Sequence, residues 1–450
     1  VQCDESLREV RMRAESRMAA TGPTILYFRP SPRPILHPSY ASSTLSRRRS
    51  LPPPLAYSKC RREYTSVMII PTGVGAAIGG YAGDALPVAR ALSSVVDCLI
   101  THPNVLNAAM LYWPMPNVLY VEGYALDRFA EGQWALQPVH QNKVGLVFDA
   151  GIEEELLIRH LQVADAARAS LGLNIVEYIV TDTPLEDLVE EMFFSLFIMC
   201  GNNSQDLELQ AGVEKWIDPK TGKSTGRIKH PDSLMRAVYN LISRSQVNAV
   251  AVVGRFPDDL SDDDYRHGAG VDTLAGVEAI ISHLVVKEFR IPCAHSPAML
   301  PPPLIPSVCP KSAAEEIGYT FLPCVLSGLF RAPQYIDINK ELTNGCILAS
   351  DVDSIVLPHD ACGGDGSLAF ARKAKHKPLV ITVRENVTVL DDTPDRFNIE
   401  AMSVSNYWEA IGLIAAHKCG VEPLSLRSDR IRNIMHVPTT LLNGISPSIL

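Results

Sequence analysis

Two patterns of hydrophobic and polar residues alternate along most of the chain. Near-continuous Val, Ile and Leu predict buried strands in SVMIIPTG, VVDCLITHP, KVGLVFDAG, IVEYIVTD, VNAVAVVGRFPD, VDSIVLPHDACGG and PLVITVREN. Helical spacing predicts helices in LPVARALSSVVD and at Glu153–Ser170, Pro231–Arg244, Asp272–Phe289, Gly366–Lys375 and Asn406–Lys418. Apolar strands that alternate with helices are typical of parallel sheets covered on both faces. We therefore predict an α/β fold with mostly parallel, doubly wound, Rossmann-like sheets in two α/β halves.

A proline-rich stretch, PAMLPPPLIPSVCPKS at residues 297–312, indicates a linker. It separates a predicted N-terminal α/β domain, residues 65–296, from a predicted C-terminal α/β domain, residues 313–425, which an irregular tail of residues 426–450 follows. Residues 186–211 (EDLVEEMFFSLFIMCGNNSQDLELQA) interrupt the first domain. They are compatible with an amphipathic helix and equally with an insertion.

Charge divides the chain of 450 residues into two unlike parts. The net charge is −9, but residues 1–64 hold 12 basic and 5 acidic side chains, whereas the remainder holds 29 and 45. From Met18 to Arg62 the chain is rich in Arg, Ser and Pro and has no acidic residue. That composition is typical of a plastid transit peptide, with a disordered basic tail as the alternative. We interpret residues 1–64 as a disordered leader and transit peptide, which predicts a location in the chloroplast stroma.

Composition also narrows the classes of function. A body this acidic is a poor binder of nucleic acid, because non-specific binding depends on neutralised phosphates. The apolar stretch Met192–Cys200 has about half of the ~20 residues that a membrane-spanning helix needs, so we expect no span. None of the ten cysteines forms a C-x-x-C pair, which argues against a zinc ribbon or a dithiol redox site. A small-molecule ligand is the expected partner, a homo-oligomer is possible, and the cofactor is unknown.

A glycine-rich loop between the first strand and the first helix is the first candidate site. Its glycines follow a strand and precede a helix, where backbone N–H groups can hold a phosphate. The spacing departs from G-x-G-x-x-G at the third glycine, and Asp84, the predicted N-cap, would repel a phosphate. Recognition of a hydroxyl group or ribose is thus an equal alternative. A further alternative without a ligand is a tight turn that needs glycine for its positive φ angles. The candidate glycines are Gly73, Gly75, Gly79, Gly80 and Gly83.

The second candidate is a cysteine at the end of a strand, Cys362 in DACGGD. A thiol before a helix faces the positive end of the helix dipole, which lowers thiol pKa and favours a nucleophilic thiolate. The following N–H groups of Gly363 and Gly364 are suited to an anion-binding nest or oxyanion hole. Nearby His359 could serve as a base. The alternative is a small buried residue in a tight turn.

Three further groups of residues are candidates for a site. Cys293 and His295 lie two apart in IPCAHSPA, so an extended segment places both on one face. They are compatible with a nucleophile pair, with two metal ligands, which are too few for a zinc site, or with packing. His102 and Asn104 follow a strand at the same predicted sheet edge as the glycine loop, where they can contact a ligand or form a turn. Three residues of the strand-like VLYVEGYALDRF lie on one face, Tyr120, Glu122 and Tyr124, and the aromatic ones are interpreted as core or pocket wall. No metal site is predicted.

The chain resembles one known family. The segments that carry the resemblance are PTGVGAAIGGYAGDALPVARAL, THPNVLNAAMLYWPMPNVLYVEGYALDRFA, IPCAHSPA, GYTFLPCVLSGL and ACGG. They are similar to the plant and cyanobacterial family called domain of unknown function 3326, some members of which carry the label putative lipoprotein. The resemblance covers most of residues 65–420 and makes residues 186–211 a departure from the family pattern. It implies a plastid or cyanobacterial origin and no established activity.

Two hypotheses of different classes follow from these residues. The first is an enzyme that acts on a small anionic or hydroxylated metabolite, with the glycine loop as ligand site and Cys362, Cys293 and His295 as reactive groups. An isomerase or racemase with two cysteines is an analogy at the level of the fold. The second is a plastid protein that binds a metabolite or a partner through the same loops without catalysis.

Overall fold

Apolar runs and amphipathic segments form two parallel sheets in the computed structural model. It describes residues 62–107, 111–185, 213–256, 263–301, 304, 306–373, 376–428, 431 and 433–435. The predictions for residues 186–211, for nearly all of residues 1–64 and for most of the tail lie outside the described residues.

The first sheet has six parallel strands in the order β14-β13-β12-β1-β2-β3. Its strands are β1 (Thr65–Met68), β2 (Cys98–Thr101), β3 (Val118–Tyr120), β12 (Val352–Pro358), β13 (Leu379–Val383) and β14 (Met402–Val404). The central strand β1 is buried at every position, as expected for a strand with a neighbour on both sides and helices on both faces.

The second sheet has four parallel strands in the order β10-β9-β5-β6. They are β5 (Val144–Phe148), β6 (Ile175–Val180), β9 (Ala249–Arg255) and β10 (Cys293–Ala298). Two antiparallel pairs complete the described strands: β4 (Trp134–Gln137) with β11 (Gln334–Asp337), and the hairpin β7 (Val213–Ile217) with β8 (Ser224–Ile228).

Helices connect the parallel strands and flank the sheets, although the edge strand β6, predicted to be buried, exposes most of its residues. The described helices are α1 (Leu86–Ser93), α2 (Pro103–Leu106), α3 (Gly123–Ala130), α4 (Glu154–Leu171), α5 (Pro231–Ser245), α6 (Asp263–Arg266), α7 (Ala275–Phe289), α8 (Pro310–Ala313), α9 (Leu322–Leu329), α10 (Asp365–Ala371) and α11 (Tyr407–Lys418). Their ends follow local rules. Gly172 ends α4 in the left-handed conformation, and the Asn406 side chain accepts a hydrogen bond from Glu409 N to begin α11.

The predicted fold class is confirmed, because both large sheets are parallel and are flanked by helices. The predicted linker at residues 297–312 does not separate the sheets, however. Strands β1 to β3 and strands β12 to β14, from opposite sides of it, pair in one sheet, while residues 144–298 supply the other. Among the described residues, no helix is long and apolar enough to cross a membrane.

Candidate functional site

A cavity of about 500 Å³ lies at the carboxyl ends of the strands of the first sheet. At β1 the order of the strands changes direction, because β2 and β3 continue on one side and β12, β13 and β14 on the other. Open parallel sheets bind ligands at such a switch point. Most lining residues come from the segments that follow β1, β2, β3 and β12, within residues 69–73, 102–104, 122–127 and 364–367, and from α7.

The glycine loop contributes to this cavity with two of its five predicted glycines, Gly73 and Gly80. Four of the glycines have positive φ angles, which suit glycine for steric reasons: Gly73, Gly75, Gly79 and Gly83. A Cβ on Gly80 would lie 2.3 Å from a backbone oxygen, that of Ala76. The turn and the close packing thus account for the glycines without a phosphate.

Asp84 is not the N-cap of α1, since the helix begins at Leu86 with Ala85 at that position. Instead its carboxylate accepts a hydrogen bond from Gly79 N at 2.7 Å and lies 3.5 Å from the Lys311 ammonium. Burial raises the pKa of Asp84, which Lys311 and the backbone bonds oppose. Asp84 therefore fastens the glycine loop and does not line the cavity.

His102 and Asn104 line the cavity, as predicted for residues at this sheet edge. Both side chains also hold the backbone after β1. Ile70 N donates to His102 Nε2 at 3.0 Å, and Asn104 Nδ2 donates to the carbonyl oxygens of Ile70 and Gly79 at 3.1 and 3.0 Å. Burial lowers the pKa of His102 to about 4, so the ring is neutral at pH 7.

Cys362, predicted as a reactive thiol because it precedes a helix, lies away from the cavity. The residue is fully buried and does not line the cavity. Burial, with the charges of Asp360 and Asp392, raises the pKa of Cys362 to about 12, whereas a helix N-terminus was expected to lower it. Desolvation of the thiolate outweighs the dipole of a helix of only seven residues.

The two glycines after this cysteine also differ from a nest for anions. Gly363 packs against Asp392, 2.4 Å from where a Cβ would lie, and only Gly364 lines the cavity. One N–H at the start of the following helix is already used, because Gly366 N donates to Asp127 Oδ1 at 2.9 Å. Burial raises the pKa of Asp127 to about 6.

Cys293 and His295 have separate roles. Cys293 is 1% exposed, and burial raises its pKa well above the ordinary value, which disfavours the nucleophilic thiolate. His295 lines the cavity and forms a 3.1 Å hydrogen bond between Nδ1 and Ser282 Oγ. Burial lowers the pKa of His295 to about 4, which leaves a neutral ring 3.9 Å from Glu278.

A carboxylate and a histidine form a pair on the cavity wall. VLYVEGYALDRF is a strand only to Tyr120, and Glu122 then serves as N-cap of α3. Its Oε2 accepts hydrogen bonds from Tyr124 N and Ala125 N at 2.8 and 3.3 Å, while Oε1 lies 2.9 Å from Nδ1 of His283. Glu122 is 3% exposed, whereas the His283 side chain is 43% exposed.

This pair sets the protonation of His283. Burial opposes the charged ring, but the hydrogen bond and charge of Glu122 outweigh burial and raise the pKa of His283. In the neutral ring, Nδ1 donates to the carboxylate and Nε2 keeps its lone pair. A carboxylate that orients a histidine in this way is the arrangement of a general base.

Three carboxyl groups influence one another near the cavity: Glu278, Asp272 and Glu315. Burial raises the pKa of Glu278, and the charges of Asp272 and Glu315 raise it further. Burial also raises the pKa of Glu315 to about 7, although Tyr265 donates a 2.6 Å hydrogen bond to it. At neutral pH Glu278 is therefore a protonated acid on the cavity wall.

The charges of the lining favour some ligands over others. Five carboxyl groups line the cavity, those of Glu122, Asp127, Asp272, Glu278 and Asp365. Among the described residues of the lining, Lys223 supplies the positive charge of a lysine or arginine. Carboxylates repel phosphates and accept hydrogen bonds from hydroxyl and ammonium groups. Of the two ligand classes predicted, the hydroxylated one suits this surface. Among the described residues, no three His, Cys, Asp or Glu side chains are placed to hold a metal ion.

The sequence interpretation missed the main titratable residues of the cavity, His283 and Glu278. Both lie in AGVEAIISHLVVKEF, an apolar helix in which Glu278, Ser282 and His283 fall at positions i, i+4 and i+5. That polar strip on a helix otherwise suited to burial was the available signal.

Comparison with known proteins identifies relatives of unknown activity. A family model described as "Protein of unknown function (DUF3326)" matches residues 65–192 and 201–427. An uncharacterized lipoprotein of the cyanobacterium Synechococcus sp. is 48% identical over 368 residues, which cover 81% of this chain and 94% of that protein. No solved structure matches the chain significantly.

Proposed function

Because the chain belongs to the DUF3326 family, whose description names no activity, we propose a function from the cavity itself: an enzyme that binds a small hydroxylated metabolite and moves a proton on it. The Glu122–His283 pair carries the proposal. A histidine held by a buried carboxylate, half exposed on the wall of a switch-point cavity, is placed to take a proton from a bound molecule.

The titratable groups around the cavity support acid–base chemistry. Burial raises the pKa of Glu278, so this residue keeps its proton at neutral pH and can serve as the acid. Glu122 raises the pKa of His283, and the neutral ring, held by that carboxylate, serves as the base. Titratable groups with shifted pKa values on a cavity wall are candidates for a functional site. The buried thiols have no part in this proposal.

Binding is tested by mass spectrometry of small molecules that co-purify with the protein. Gly123 lines the cavity, and a Cβ there would lie 3.8 Å from His283 Cε1, so Gly123→Trp fills the space in front of the base. We expect this variant to lose the bound molecule. Gly412→Trp is the matched control, because no neighbouring atom lies within 4 Å of where a Cβ on Gly412 would stand. Equal recovery from both variants would refute a ligand in this cavity.

Proton transfer is tested by hydrogen exchange in D2O with glyceraldehyde, dihydroxyacetone, ribose and glycerol as probes. We expect exchange of carbon-bound hydrogen in at least one probe, with a rate that increases as pH rises through the raised pKa of His283. His283→Gln abolishes the exchange, and His140→Gln, an exposed histidine elsewhere, does not. Binding without exchange would favour the non-catalytic alternative.

The plastid location is a separate proposal, supported by the composition between Met18 and Arg62. A fluorescent fusion of residues 18–64 is expected to enter plastids, and a fusion that stays in the cytosol would reject it.

A further inference from the structure

His102 is a neutral hydrogen-bond donor on the cavity wall, and this follows from its partners. The Ile70 N–H can only donate, so the Nε2 atom that receives it at 3.0 Å carries no proton. The single proton of the neutral ring therefore lies on Nδ1. The described residues hold no hydrogen-bond partner for that nitrogen.

The surroundings of the ring keep it in this form. His102 is 6% exposed and lines the cavity, and Nδ1 is not among the fully buried atoms that lack a partner. We therefore take its N–H to face the cavity, whose lining holds five carboxyl groups. A second proton would have to sit on Nε2, where it would meet the Ile70 N–H. The imidazole is thus locked as one tautomer, and its donor needs no rearrangement when a ligand arrives.

We infer that His102 Nδ1 donates a hydrogen bond to the carbonyl oxygen of the substrate, which makes the substrate a hydroxylated aldehyde or ketone with a C–H bond next to the carbonyl. The inference rests on the proposed function, because it supplies the electrophilic partner of the base His283. A fixed neutral donor is worth most where negative charge develops, as it does on a carbonyl oxygen when an adjacent carbon loses a proton.

The step balances with these two side chains. His283 Nε2 takes the proton, so a C–H bond breaks and an N–H bond forms. The electron pair of the C–H bond becomes a second bond between that carbon and the neighbouring carbonyl carbon, and the π electrons of the carbonyl move to its oxygen. That oxyanion accepts the hydrogen bond from His102 Nδ1. Return of a solvent-derived proton from His283 to the carbon restores the carbonyl compound.

Variants of His102 test the inference with dihydroxyacetone as probe and glycerol, which has no carbonyl, as its counterpart. His102→Gln supplies both an acceptor for Ile70 N–H and a donor for the cavity, so it is expected to keep most of the exchange in D2O. His102→Leu has no donor and is expected to slow exchange by about 100-fold. If the leucine variant does not fold, His102→Met replaces it, since a thioether accepts but cannot donate.

Nuclear magnetic resonance of the intact, histidine-labelled protein gives a readout that needs no variant. We expect His102 as the Nδ1–H tautomer from pH 5.5 to 8, with its ring signals shifted by glycolohydroxamate, a stable mimic of the enediolate. A ring that is protonated at Nε2, or that titrates in this range, overturns the inference. So does exchange that is lost in His283→Gln but unchanged in His102→Leu, which leaves the proposed function standing. No binding and no exchange of any probe by the unaltered protein would instead refute the proposed function.

Discussion

Replacing Glu122 by Gln separates the charge of the carboxylate from its shape. The amide keeps one oxygen for the N-cap bonds of α3, but its NH2 group can only donate to Nδ1 of His283. Hydrogen bonds to a charged group stabilise by about 1.5–3 kcal/mol and neutral ones by about 0.5–1.5 kcal/mol. Two weakened sites, the cap and the His283 bond, give an expected loss of about 2 kcal/mol in the free energy of unfolding.

The loss depends on pH, and its sign follows from the raised pKa of His283. A histidine with a raised folded-state pKa contributes stability below its unfolded value, about 6.5, and this contribution disappears as pH rises through the folded value. The variant should therefore lose more stability at pH 6 than at pH 9. Without the carboxylate, burial dominates, so we expect the pKa of His283 in the variant below its ordinary value.

Urea unfolding at pH 6 and pH 9, with a titration of the His283 ring protons by nuclear magnetic resonance, measures both effects. Glu341→Gln removes an equal charge from an exposed position and is the control. A His283 pKa that stays raised in Glu122→Gln, or an equal loss of stability at both pH values, would refute the assignment of this pair.

Three further predictions concern packing, thiols and a buried acid. Gly80→Ala should destabilise the protein by about 3 kcal/mol, because the new Cβ would lie 2.3 Å from a backbone oxygen. Gly412→Ala, at a position in helix α11 with open space around it, should stabilise by about 0.5–1 kcal/mol. Urea unfolding compares the two variants, and similar losses of stability would contradict the close packing at Gly80. Iodoacetamide at pH 8 should label the exposed Cys419 and leave Cys362, whose pKa is about 12, unmodified, as measured by mass spectrometry. Rapid labelling of Cys362 would instead support it as a nucleophile. Glu315 has a pKa of about 7 in the folded protein, so the free energy of unfolding should fall by up to about 3 kcal/mol as pH rises through 7. Unfolding of Glu315→Gln at pH 5 and pH 9 should lack this fall. A pH dependence equal to that of the unaltered protein would reject Glu315 as a buried acid.

The fold was accessible from the sequence because its signals are local. Each predicted central strand is a run of apolar residues, and seven of these runs are strands of the two parallel sheets. The predicted helices agree within a few residues, as at Pro231–Ser245. Sheet membership was not accessible, because pairing of β1 with β12 depends on contacts between distant segments.

The site was predicted in part for the same reason. His102 and Asn104 follow a strand directly, so the edge of the sheet places them on the cavity. The burial of Cys362, which raises the pKa of its thiol, was not accessible, because it depends on neighbours that only the tertiary structure supplies. His283 reaches the cavity from α7, far along the chain from Glu122, and no local pattern relates those two residues.

The pairing of β1 with β12 has a consequence for biosynthesis. Ser66 and Ser354 are 288 residues apart, yet their hydroxyl groups hydrogen-bond in the middle of the first sheet. A ribosome therefore releases β1 long before its partner β12 exists, although β2 and β3, which pair with each other, follow β1 closely. Domains with such distant contacts fold slowly, and an unpaired apolar strand is prone to aggregate. We therefore expect chains that end before residue 352 to aggregate more than the full chain, because β1 then has no partner on one side.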